Sequence, residues 1–106
     1  MDINECAENL GLEKEEFVEL LVLFVETAQS DLDKLETALS QMDGNHAAAA
    51  AHSIKGASAN LGLTVLADLA KEVEHLARRE ELNGIPAHMN LLRREVGVVA
   101  ALAGGC

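Results

Sequence analysis

Three residues in one short run, His52, Lys55 and Gly56, have the types and spacing needed to move a phosphoryl group. Neutral imidazole is a good nucleophile near neutral pH, because its pKa lies close to that range. A phosphoryl group carried on its nitrogen is a high-energy phosphoramidate, so it can be passed on. On a helix, a lysine three residues further stands beside the ring and offsets the charge of the transferring group. A glycine four residues further removes a side chain that would crowd the ring. In-line transfer needs the partner's reacting atom at bonding distance, and a flat surface around the ring permits that approach. Glycine inside a helix costs roughly 1 kcal/mol relative to alanine, so its presence there calls for a packing or functional reason.

These roles require that residues 46–61 form a helix with His52 pointing outward. In this segment Lys55 is the one formally charged residue. On a helical wheel Ala47, Ala50, Ile54, Ala57 and Leu61 share one face, which reads as the core stripe. Ala48, His52, Lys55, Gly56 and Ala59 fall on the opposite face. Asn45 is the expected N-cap and Gly62 the expected stop.

The rest of the chain supplies partners for that helix. Asp2 with Glu5 reads as a capping box for a short helix ending near Leu10, stopped by Gly11. A long helix is expected over about 13–42, with Phe17, Leu21, Phe24, Ala28, Leu32, Leu35, Leu39 and Met42 on one stripe. Acids in its first turn suit a helix N-terminus, and a break near Gln29 and Ser30 is an open alternative. A fourth helix is expected over about 64–82, with Leu66, Leu69, Val73, Leu76 and Ala77 inward. Pro86 fits the first turn of a last helix carrying Met89, Leu92, Val96, Val99 and Leu102. Nothing reads as a strand. The expectation is an all-α, antiparallel four-helix bundle with a short N-terminal capping helix, as a single domain over 1–106.

Composition narrows the function. Of the 106 residues 49% are hydrophobic, yet Trp and Tyr are absent and Phe occurs twice, so the core must be aliphatic. The net charge is −10, which argues against nucleic acid and against an anionic membrane surface as partners. The imbalance lies in the first 43 residues, with twelve acids and two bases; the remainder is neutral overall. No apolar run approaches the roughly 18 residues that span a bilayer, and the start lacks the basic region of a secretory signal. A cytoplasmic location is expected. Cys6 and Cys106 show no CxxC spacing and read as free thiols, with a terminal clasp as the unsupported alternative.

Other chemistries find little support. His46, His75 and His88 match no zinc spacing, so no metal and no cofactor is expected. There is no nucleophile-elbow turn and no glycine-rich phosphate loop. The acids Glu13, Glu15, Glu16, Glu19 and Glu26 read as a solvated face.

The run His52-Ser53-Ile54-Lys55-Gly56-Ala57-Ser58-Ala59-Asn60-Leu61-Gly62 resembles the signature of histidine-phosphotransfer (HPt) domains, and the order of helices extends the likeness over most of the chain. The resemblance implies a phosphocarrier of a two-component phosphorelay that is not itself an enzyme. Its partners would be a receiver domain, which supplies the aspartate and Mg²⁺, or a sensor histidine kinase. It also implies phosphorylation at Nε2. In many members a residue 22 positions after the histidine takes a hydrogen bond from Nδ1–H; here that is Glu74. Arg78, one turn on, would add positive charge to the docking rim, with Lys71 a weaker candidate. Ala57 departs from a common serine, and Ser58 follows it. The same signature occurs in the phosphate-accepting domain of chemotaxis-type kinases, and a bundle that binds partners without carrying phosphate is a third reading.

Overall fold

The computed structural model describes residues 2–104. The expectation for Cys106 lies outside them. Five α-helices follow in order: α1 (Ile3–Asn9), α2 (Lys14–Ser40), α3 (Gly44–Asn60), α4 (Thr64–Arg78) and α5 (Ile85–Ala103), with one 3₁₀ turn, Leu82–Gly84, before the last. No strand occurs among the described residues. Short turns reverse the chain between successive long helices, so α2 to α5 form an antiparallel bundle and α1 packs against α2. No helix is long and apolar enough to cross a membrane among the described residues.

Phe17, Leu21, Leu32 and Leu35 of α2 meet Ala47, Ala51 and Ile54 of α3 in the core. Leu66, Ala70, Val73 and Ala77 of α4 and Ile85, Leu92 and Val96 of α5 complete it. The alanines of α3 let the helix sit close against both α2 and α4. The long helix is continuous through Gln29 and Ser30.

The first four helices end in the same two-bond closure. After α1, the N–H groups of Leu12 and Gly11 donate to Ala7 and Glu8; after α3, those of Leu63 and Gly62 donate to Ser58 and Ala59. After α2, Asp43 and Met42 donate to Ala38 and Leu39; after α4, Glu81 and Glu80 donate to Leu76 and Ala77. The pattern needs a left-handed residue at its corner. Gly62 takes that conformation without strain (φ +73°), whereas Met42 and Glu80 adopt it as non-glycines (φ 51° and 60°).

This explains several differences from the sequence expectations. Helix α2 stops at Ser40, which leaves Met42 79% exposed rather than in the core. Helix α4 stops at Arg78, short of Leu82, because the chain turns at Glu80. The N-cap of α3 is Asp43, not Asn45: its Oδ1 accepts from the His46 N–H at 3.0 Å. That hydrogen bond holds the Asp43 carboxyl below its usual range. Asp2 does cap α1, accepting from Asn4 and Glu5. A side chain reaching back to its cap is found instead at Glu16, which accepts from the Glu13 N–H at 2.9 Å.

Helix α3 can start at Gly44 because that residue has no side chain. A Cβ there would lie 2.9 Å from the Glu80 carboxylate oxygens and 3.0 Å from the Ala77 carbonyl oxygen. Gly97, within α5, has nothing within 4 Å of a Cβ. Gly44→Ala is therefore expected to destabilise the protein by about 1–3 kcal/mol through crowding. Gly97→Ala is expected to stabilise it by about 0.5–1 kcal/mol. Thermal denaturation of the two variants beside wild type checks both signs.

Candidate functional site

Helix α3 lies between α2 and α4, so its buried arc is wider than one stripe. Ala47, Ala48, Ala50, Ala51, Ile54 and Ser58 are all buried, which corrects the outward placing of Ala48. Ser58 is sealed in and donates to the Ile54 carbonyl. Ala57 is only partly buried. Around the imidazole, His52 itself, Ser53, Gly56 and Ala59 are exposed and Lys55 is partly so. A Cβ on Gly56 would meet nothing within 4 Å. No packing within the chain therefore asks for glycine here, and the clear space lies one turn along from the His52 ring.

The opposite wall is α4. Its inward stripe runs through Leu66, Ala70, Val73 and Ala77, and Glu74 falls beside Val73 on the same side. Glu74 is thus a buried carboxylate, 3% exposed. Left alone, such a group would give up its charge to avoid desolvation. Here three side chains converge on it. Lys55 Nζ donates to Oε1 at 2.7 Å. Arg78 donates to Oε2 through Nη2 at 2.6 Å and Nε at 3.2 Å. His52 Nδ1 lies 3.0 Å from Oε2. Burial pushes the Glu74 carboxyl up, but the hydrogen bonds from Lys55, Arg78 and His52 outweigh it and hold the group at about 2.

The tautomer of the ring follows from that charge. An ionised carboxylate only accepts hydrogen bonds, so the proton of neutral His52 sits on Nδ1 and donates to Glu74. The lone pair is then on Nε2, and the ring is 63% exposed. The site combines an outward imidazole nitrogen, two cations within reach of it, and an open flank. Lys55 is not free beside the ring: it is paired with Glu74, as is Arg78.

All five residues singled out from sequence are therefore placed together: His52, Lys55 and Gly56 on α3, Glu74 and Arg78 on α4. Lys71 is exposed, with no ion pair among the described residues. His46 pairs with Asp43, and His88 Nδ1 lies 3.0 Å from the Gly84 carbonyl oxygen. No three metal-ligating side chains cluster among the described residues. One polar residue escaped sequence reading. Asp31 of α2 is 6% exposed and accepts from Ser53 Oγ at 2.7 Å. Its signal was present, since position 31 lies on the stripe that joins Ala28 to Leu35 and an acid interrupts that stripe.

Comparison with known proteins places this geometry. The Hpt domain family model matches residues 19–102. The structure is similar to the crystal structure of histidine-containing phosphotransfer protein B (HptB) from Pseudomonas aeruginosa PAO1. The TM-score is 0.87 and the identity 34%, covering 99% of this chain and 91% of that one. No curated protein matches the chain.

The lowered Glu74 carboxyl has a stability consequence. Its folded-state value lies below its unfolded one, so its contribution is present above about pH 4.5 and is lost as pH falls toward about 2. Glu74→Gln is expected to be less stable than wild type at pH 7, because Lys55 and Arg78 lose their counter-charge. The gap should narrow as the wild-type carboxyl protonates on approach to pH 2. Urea denaturation across that pH range reads the gap directly.

Proposed function

Because this chain belongs to the Hpt domain family, we propose that His52 is the phosphoacceptor through which it serves as a phosphocarrier of a two-component phosphorelay. The observation that carries the assignment is the His52 Nδ1–Glu74 hydrogen bond at 3.0 Å, which turns the nucleophilic Nε2 outward.

Transfer then runs as follows. The Nε2 lone pair attacks the phosphorus of a receiver's aspartyl phosphate, the Nε2–P bond forms, and the P–O bond to the aspartate breaks. The released carboxylate stays with the receiver, together with its Mg²⁺. The proton remains on Nδ1, and Glu74 balances the positive ring. Lys55 and Arg78 stand ready to turn from Glu74 toward the phosphoryl oxygens. Reversal returns neutral imidazole as a competent leaving group, so one geometry serves both directions. The chain positions the acceptor and the partner brings the catalysis, as fits a carrier and not an enzyme. The partner, a receiver domain or a sensor histidine kinase, docks over the small residues Ser53, Gly56 and Ala59 beside the ring. We place the carrier in the cytoplasm, as one domain over 1–106.

The likeness to HptB, which spans 91% of that chain, favours a carrier over the phosphate-accepting part of a chemotaxis-type kinase. The complete set His52, Lys55, Gly56 favours phosphate carriage over a bundle that only binds.

Incubation with a phosphorylated receiver is expected to label wild type with an acid-labile, alkali-stable phosphate, and His52→Gln to take none while keeping its helical spectrum. Uptake by that variant would remove the assignment. Gly56 separates stability from transfer. Gly56→Ala is expected to raise stability by about 0.5–1 kcal/mol, since its Cβ enters open space. Gly56→Arg should fold yet slow transfer by crowding the ring, which single-turnover kinetics would show.

A further inference from the structure

Beside the acceptor, on the side away from α4, a groove of about 580 Å³ runs between α2 and α3. Ala38 of α2 and Ala50 of α3 form part of its wall, with Asp31, Asp33, Lys34 and Ser53 around it. Ser53 neighbours His52 in the chain, so a partner seated on the ring also covers this end of the groove.

Asp31 is its unusual member. It is 94% buried, and the phosphotransfer geometry makes no use of it. A carboxylate taken out of water costs stability unless it is fully paired. Its Oδ2 takes the 2.7 Å hydrogen bond from Ser53 Oγ. Its Oδ1 has no hydrogen bond among the described residues, yet no buried side-chain oxygen is sealed off without one. Oδ1 therefore keeps some access to solvent, and Asp31 is part of the groove lining. No ion pair compensates it among the described residues: the ammonium of Lys34 lies beyond pairing distance, Arg93 is engaged with Asp33 and Glu36, and His46, at the far end, pairs with Asp43.

We propose that this groove accepts a lysine or arginine side chain of the docked receiver, whose cationic head is bound by Asp31 Oδ1. A groove with alanines in its wall and a carboxylate in its lining suits an aliphatic stem with a charged tip, and the half-satisfied carboxylate supplies the complementary charge. The groove thereby reads partner identity, a task separate from the chemistry at His52. The proposal rests on the receiver-docking reading above.

Asp31→Asn is the test, because the amide oxygen can still accept from Ser53 and only the charge is lost. Two measurements are made. First, methylguanidinium chloride is titrated into the isotope-labelled protein. Wild type should show saturable amide shifts at Ala38, Ala50 and Ser53, and Asp31→Asn should show none; absence of wild-type shifts overturns the proposal. Second, a receiver that exchanges phosphoryl with wild type is assayed with both proteins. Asp31→Asn should raise KM for the receiver about tenfold with kcat retained, and a double-mutant cycle should couple Asp31 to one receiver cation, whose removal adds nothing in the variant. Unchanged KM, or an equal loss for every receiver cation, also overturns it. If His52→Gln still takes up phosphate, the phosphocarrier reading fails instead, and the guanidinium titration judges the groove independently.

Discussion

The site depends on one buried negative charge. Glu74 sits among Val73, Ala70 and Ala77, where a carboxylate is sustained only by donors that reach in from the surface. Three do, and each is changed by the encounter. The His52 ring loses its rotational freedom and its choice of tautomer. Lys55, partly buried, and Arg78, still largely exposed, are held on the same carboxylate as the ring. A buried amide could orient the ring, but it would not gather two cations. The charge makes the resting site a neutralised cluster, so an incoming phosphoryl group competes with Glu74 for partners already in place. Little reorganisation is then left for the moment of transfer.

The close approach of α3 and α4 makes that cluster geometrically possible, and it comes from side chains that are hardly there. Alanines 47, 48, 50 and 51 fill the buried arc of α3. Gly44 lets the helix start against the end of α4. Two carboxylates flank α3 from opposite sides, each 22 positions in sequence from its partner on that helix. They differ in saturation. Glu74 is fully engaged and serves the ring, while Asp31 keeps an oxygen in reserve.

Much of this was legible in the residues. Helical period and phase placed His52, Lys55 and Gly56 on an outward face, because exposure along a helix follows from spacing alone. Helix ends marked by glycine, at Gly11 and Gly62, fell where expected. The ends at Met42 and Glu80 did not, because a left-handed corner carried by an ordinary side chain leaves no compositional mark. Residue preference alone favours Asn45 over the actual cap, Asp43, since the tight start at Gly44 depends on a neighbour far along the chain. A helical wheel turns Ala48 outward because it assumes one packing partner, and α3 has two. Glu74 was reached through family likeness, not through spacing; a lone glutamate on a helix reads as surface until its neighbours are known. Nothing in the sequence reported that Lys55 would be paired at rest.

The four ionic members of the site lie between positions 52 and 78, on two successive helices joined by the turn at Gly62. Assembling it is thus a matter of closing one short loop. Loop closure over so few residues costs little entropy, and contacts local in sequence form early and fast. The long helix α2 and the last helix α5 bury the hairpin's other faces without contributing a group to the ring. A chain built this way can drift in its outer helices, and in the partner surface that α2 carries, while the chemistry stays encoded in one contiguous stretch. Recognition and reactivity are thereby left free to evolve at different rates.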